Sequence, residues 1–163
     1  MPTMLKKAAA LIAIIAMTSA GSLLLAQTDV AEPLPQSNPD EALMLELRDV
    51  VTSWASAWQS QLDDVYLLHY HPDFKPEGFK SVAEWQASRR NRVRDPANIQ
   101  IGLSDFSVVA ARDNNRAVVR FWLLYSRPGY ADKTRKEMEL RKLGQIWLIA
   151  SEHNLEVTKL APP

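Results

Sequence analysis

The sequence predicts an α+β domain, with three N-terminal helices packed on an antiparallel sheet of about four strands. Three observations predict it. Before Pro96 the apolar residues recur at spacings of three and four, and after it they alternate. The two kinds of run are segregated along the chain rather than interleaved, which is the α+β order. The alternating runs are separated by hairpin-length turn signals, which make neighbouring strands antiparallel.

The first 26 residues, MPTMLKKAAALIAIIAMTSAGSLLLA, carry Lys6 and Lys7, then an apolar run, then small residues. That is the layout of a secretory signal peptide, and it predicts a periplasmic or secreted protein. Cleavage is expected after Ala26 or Ala20, although Leu24 and Thr18 at the −3 positions depart from A-x-A. The alternative is an uncleaved inner-membrane anchor over residues 8–26, which Thr18, Ser19, Gly21 and Ser22 weaken. No cysteine follows the apolar run, which excludes a lipoprotein anchor, and the chain has none elsewhere, so no disulfide can staple it. Residues 27–38, QTDVAEPLPQSN, read as a flexible linker. The domain is expected over 39–158, with a short tail at 159–163.

In the first helix Asn38 is the N-cap, Pro39 sits at N1, and Glu41 completes a capping box. Leu43, Leu47, Val50, Val51, Trp54, Trp58 and Leu62 form its apolar stripe, which makes the two tryptophans core residues. Asp63 or Asp64 is expected to cap a shorter second helix with Val65, Leu68 and Tyr70 turned inward, stopped by Pro72. Ser81 and Glu84 form the capping box of a third helix, SVAEWQASRRNRV, which ends before Pro96. The strands follow from alternation. Ile99, Ile101 and Leu103 mark the first, and Ala117, Val119, Phe121, Leu123 and Tyr125 the second. Met138 with Leu140 marks the third, and Trp147 with Ile149 the fourth. Turn signals lie at 112–115, 126–132 and 143–145.

Acids and bases number 19 each. Loss of Lys6 and Lys7 with the signal leaves 17 bases against 19 acids, a weak negative balance that argues against a nucleic-acid partner. There is no internal repeat, no GxGxxG and no P-loop pattern.

Three groups of residues are candidates for chemistry. Trp85, Arg89 and Arg92 share one face of the third helix, and the two guanidiniums could form a fork for a carboxylate or phosphate. Their structural alternative is pairing with Asp132, Glu152 or a sheet-edge carbonyl. Tyr125, Tyr130 and Lys136 are expected to converge near one end of the sheet, with Tyr70 opposite, as a polar pocket mouth or as buried phenols. An isomerase-type site needs a carboxylate base and a donor to the enolate, for which Asp64 and Tyr125 are available. His153 falls on the inward parity of the last strand and could serve as a base. Neither a nucleophile–base pair nor paired catalytic carboxylates stands out, so no catalytic residue is assigned. His69 and His71, two apart at a helix end, point away from each other and are not expected to share a metal ion. No metal or other cofactor is expected.

A spaced pattern runs through Trp54, Ala57, Trp58, Asp64, Tyr66, Leu67, Tyr70, Phe74, Gly78, Ser81, Trp85, Arg89 and Arg92. It continues through Val119, Phe121, Tyr125, Ser126, Tyr130, Asp132, Lys136, Leu140, Trp147, Ile149 and Glu152. With this pattern the chain resembles the nuclear transport factor 2, SnoaL-like and ketosteroid-isomerase fold. It is most similar to the C-terminal domain of periplasmic L,D-transpeptidase-like cell-shape enzymes, a domain also attached to tetratricopeptide proteins. The resemblance spans residues 43–156 and implies a cone with a curved sheet. In those enzymes the catalytic cysteine lies in another domain, so the resemblance implies a non-catalytic ligand-binding or assembly module of the cell envelope. An anionic or peptidoglycan-derived ligand, an envelope protein partner and a homodimer through the sheet face at Ile99, Ile101 and Trp122 are expected with it. The alternative is a small SnoaL-like enzyme acting on an apolar ligand in the cone.

Overall fold

The computed structural model of the protein describes residues 39–95, 98–112 and 114–162. The expected signal peptide, the linker and the Asn38 cap lie outside the described residues. Among the described residues no helix is long and apolar enough to cross a membrane. The chain forms α1 (Pro39–Gln59), α2 (Asp63–Leu68) and α3 (Val82–Arg94), then β1 (Gln100–Arg112), β2 (Arg116–Arg127), β3 (Tyr130–Leu143) and β4 (Ile146–Leu160). The strands make one antiparallel sheet in the order β1-β2-β3-β4. The helices cover one face of this open sheet, which is the α+β arrangement expected.

The stripe on α1 buries Leu47, Val51, Trp54 and Trp58 against Val119, Phe121, Met138, Leu140 and Ile149 of the sheet. The helix stops at a left-handed residue, Gln61, with φ 58°. Its N–H donates to the Trp58 carbonyl and the Leu62 N–H donates to the Ala57 carbonyl, which is a Schellman closure without glycine. Leu62 consequently lies beyond the helix and is exposed rather than part of the stripe. The Gln61 amide then donates to the Arg94 carbonyl at 2.7 Å, tying the end of α1 to the end of α3.

α2 corrects two expectations. Leu62 occupies its N-cap with no side-chain cap, so neither Asp63 nor Asp64 caps it. Asp63 instead binds Arg90 and Arg94 of α3, at 2.7 and 2.8 Å, and Asp64 pairs with Arg90. The inward face carries Tyr66 and Asp63, while Val65 and Leu68 are exposed. Ser81 does cap α3, accepting from the Glu84 N–H at 3.1 Å, and the Glu84 carboxylate accepts from the Lys80 N–H.

The segment after α2 leaves the helix and pairs with β4. The His71 N–H donates to the Ile149 carbonyl and the Ile149 N–H to the His69 carbonyl, both at 2.8 Å. This parallel bridge shields part of an otherwise open edge. His69 sits at the helix C-cap as expected, whereas His71 lies past the helix and is buried. Different partners hold their rings. His69 meets the Val65 carbonyl and Ser53 Oγ, and His71 Nδ1 accepts from the Asp73 N–H.

Two register shifts in β4 decide which side chains face inward. One lies between the pairings of Ile149 and Ser151, the other between those of Asn154 and Glu156. Each adds one residue and reverses the parity of alternation. His153 therefore turns outward to Glu77 at 3.2 Å, against expectation, and Glu152 turns inward. Ile99, just before β1, is buried and Ile101 on β1 packs on the core beside its register partner Tyr125, whereas Trp122 turns to the other face between Lys133 and Arg135. Ile99 and Ile101 thus lie on the helix-covered side, and Trp122 is the one of the three residues expected at a dimer surface that lies on the opposite face.

Candidate functional site

A cavity of about 140 Å³ lies between α3 and the helix-covered face of β2, β3 and β4. Five of the seven residues singled out in the sequence line it: Arg89, Arg92, Tyr125, Tyr130 and Lys136. Trp85 and Tyr70 do not line it but stand behind it. Their rings pack edge to face at 4.7 Å, and both rest on Phe74. Trp58, expected only as core, is buried and also forms cavity wall, stacked on Tyr125 at 5.3 Å.

Glu152 organises the deep end. Tyr70 donates its hydroxyl proton to Glu152 Oε2 at 2.8 Å, and Lys136 Nζ donates to Oε1. With its proton committed, the Tyr70 oxygen must accept from both Trp54 Nε1 at 3.0 Å and the Tyr66 hydroxyl at 2.7 Å, which fills its lone pairs. Lys136 also donates to Asn154 Oδ1 at 2.9 Å. The side chains of Lys136 and Glu152 are 7% and 8% exposed, so this is a buried ion pair.

Burial works to raise the Glu152 pKa, but the charges of Lys136 and Arg89 and the donated hydrogen bonds outweigh it and hold the group at about 2. The Tyr66 and Tyr70 phenols are pushed up, first by burial and then by the Glu152 charge. Burial opposes the charge on Arg89, yet the neighbouring Tyr66 and Glu152 raise its pKa on balance. Beside Asp132, Tyr130 is pushed up by its hydrogen bond to that carboxylate.

The wall carries three cations, Arg89, Arg92 and Lys136, against two carboxylates, Asp132 and Glu152, an excess of one positive charge. Neither arginine has a carboxylate within ion-pair distance among the described residues. The expected structural pairing with Asp132 or Glu152 is therefore not made. Arg89 leans on the Trp85 ring at 5.9 Å and Arg92 on the Trp58 ring at 5.7 Å. Two N–H donors of the wall, Arg89 Nε and Trp58 Nε1, are buried without a hydrogen-bond partner among the described residues. Orphaned buried donors are uncommon and call for an acceptor.

Asp64 and Tyr125 do not make an isomerase-type site. Asp64 is 77% exposed and paired with Arg90 on the outside of α2, while Tyr125 is buried in the cavity wall. Sequence reasoning missed Tyr66 as a lining residue and placed Glu152 only as an arginine partner. Tyr66 had a legible signal, since it stands one helical turn before Tyr70. Among the described residues no group of three or more His, Asp or Glu side chains is placed to hold a metal ion.

Several known proteins share this architecture. The protein called Bd1075 from Bdellovibrio bacteriovorus is 24% identical with a TM-score of 0.60, over 68% of this chain and 40% of its own. The helical cell shape determining protein Pgp2 from Campylobacter jejuni, as a K307A mutant, is 17% identical with a TM-score of 0.58, over 66% and 39%. A candidate scytalone dehydratase from Novosphingobium aromaticivorans is 11% identical with a TM-score of 0.62, over 76% and 94%. The chain thus spans about two-fifths of Bd1075 and of Pgp2, and nearly all of the candidate dehydratase. At these identities the likeness establishes the fold. Among curated proteins none matches the sequence. The sequence profile described as the Cds6 C-terminal NTF2-like domain matches residues 46–153, so the chain belongs to that family.

Proposed function

We propose that this protein is an exported, non-catalytic binding module of the cell envelope whose cavity takes the carboxylate of a small ligand. The observation that carries the reading is the surplus of cationic wall, with Arg89 and Arg92 lacking any carboxylate partner among the described residues. A guanidinium half withdrawn from water gains most from a bidentate carboxylate, and the buried Arg89 Nε has no acceptor among the described residues. The D-alanine carboxylate of a peptidoglycan stem is one ligand of this chemistry. The Pgp2 likeness gives that envelope assignment its support, since Pgp2 is described as determining cell shape.

The rival reading is a SnoaL-like enzyme working on an apolar ligand. It needs a carboxylate free to take a proton. Two carboxylates line the cavity: Tyr70 and Lys136 occupy the oxygens of Glu152 and its pKa is held at about 2, which makes it a poor base, and Asp132 is engaged by the Thr134 and Tyr130 hydroxyls. Titration of the protein with N-acetyl-D-alanine and with N-acetyl-D-alaninamide, followed by NMR, tests the proposal. The acid is expected to bind at least about tenfold tighter, the scale of one charge-assisted hydrogen bond, and Arg89→Met with Arg92→Met is expected to abolish the difference. Equal binding of acid and amide would remove the carboxylate reading.

A further inference from the structure

The cavity holds a second unpaired charge. Asp132 is 6% exposed, and no cation lies within ion-pair distance of it among the described residues. Its Oδ1 accepts from Thr134 Oγ1 at 3.1 Å, and the Tyr130 hydroxyl supplies a further hydrogen bond. Neutral donors alone hold it. Carboxylates this buried are ordinarily paired with a cation. Unpaired Asp132 and unpaired Arg89 line the same cavity, yet they do not meet.

The reason is their placement along the sheet. Asp132, Thr134 and Lys136 face inward at successive alternate positions of β3. Asp132 and Lys136 are four residues apart, about 13 Å along the strand. Lys136 belongs to the Glu152 end, where Arg89 also lies under the influence of the Glu152 charge. Asp132 belongs to the Tyr130 end. Lys136 cannot serve Asp132, because Glu152 and Asn154 occupy its ammonium. The result is a cavity with Lys136 and Arg89 beside Glu152 at one end and Asp132 as the carboxylate of the other, where Arg92 and Arg127 act on Tyr130 but neither lies within ion-pair distance of Asp132 among the described residues.

We propose that the cavity selects a ligand carrying both a carboxylate and an ammonium group several bonds apart, the carboxylate held by Arg89 and the ammonium by Asp132. This rests on the reading of the cavity as a carboxylate site and adds the requirement for an amine. A simple α-amino acid is a poor match, because its two charges are adjacent. A linear ω-amino acid, or an amine-bearing side chain on a short peptide acid, spans the two ends.

Calorimetric titration with 6-aminohexanoate, hexanoate and hexylamine separates the possibilities. We expect 6-aminohexanoate to bind at least about tenfold tighter than hexanoate, the scale of one buried charge-assisted contact. In Asp132→Asn, verified as folded by circular dichroism, that preference should disappear while hexanoate binding is retained. Equal affinity of the wild-type protein for 6-aminohexanoate and hexanoate overturns the two-charge proposal and leaves the carboxylate site standing. No binding of either acid overturns both. Preference for hexylamine over both acids also overturns both. The wild-type comparison decides the matter even if Asp132→Asn fails to fold.

Discussion

Replacement of Lys136 by Met tests the electrostatic account of the cavity most directly. The substitution keeps most of the side-chain volume and removes the charge. It leaves Glu152, 8% exposed, with Tyr70 as its hydrogen-bond donor and only the more distant Arg89 as a compensating cation. Breaking a buried ion pair from one side costs about 3–5 kcal/mol. Net of burial, the depression of Glu152 from 4.5 to about 2, to which Arg89 and Tyr70 contribute beside Lys136, corresponds to about 3 kcal/mol of folding stability at roughly 1.4 kcal/mol per unit. Because the folded pKa is depressed, this stability is present in full above pH 4.5 and is lost as pH falls toward about 2.

The assay is urea unfolding followed by tryptophan fluorescence at pH 7 and again across pH 5 to 2. Lys136→Met should lose about 3–5 kcal/mol at pH 7. The double variant with Glu152→Gln should recover most of that, because Gln still accepts from Tyr70 and no buried anion remains. Wild type should lose about 3 kcal/mol more than the double variant between pH 5 and pH 2. A cost below about 1 kcal/mol for Lys136→Met, or identical acid profiles for wild type and the double variant, refutes the reasoning.

Three further outcomes follow from particular contacts. Ser81→Ala removes the α3 cap and should cost about 1 kcal/mol in urea unfolding, whereas Ser104→Ala, on an exposed position of β1, should cost less than about half that. Phe121 is fully buried beneath Trp54 and Phe106, so Phe121→Ala should cost about 3–5 kcal/mol, and a loss under 2 would mean the core closes over the gap. We propose, beside the binding role, a homodimer through the sheet face opposite the helices. That face carries Trp122 and the exposed Leu124, so Trp122→Arg should convert a dimer to a monomer in sedimentation velocity, and an unchanged sedimentation coefficient counts against that interface.

The sheet residues show how far alternation reaches. Val119, Phe121, Leu123 and Tyr125 lie on a strand without interruption, and their inward direction was legible from spacing alone. β4 begins the same way at Trp147 and Ile149, but each extra residue shifts its parity, and neither shift has a glycine or proline to announce it. That is why His153 was expected inside and Glu152 was not expected as the centre of the site. On α2 the errors have a different cause. Val65 and Leu68 are the more apolar choices, but in a helix of six residues the tertiary partners decide the facing. The Asp63 clamp to Arg90 and Arg94 and the Tyr66–Tyr70–Glu152 chain turn the tyrosines inward.

The sequence by itself determined the three helices and the four-stranded meander, the α3 cap and the tryptophan-rich core. These depend on local periodicity and on short-range capping, which one chain segment specifies alone. It also placed Trp85, Arg89 and Arg92 on one helical face, because helix geometry fixes that from spacing. Only the tertiary structure decided which charges meet. The pairing of Lys136 with Glu152 spans two strands and a register shift, and the isolation of Asp132 and Arg89 depends on their being held at opposite ends of one cavity. Long-range electrostatics varies with distance and burial, and neither quantity is written in residue spacing.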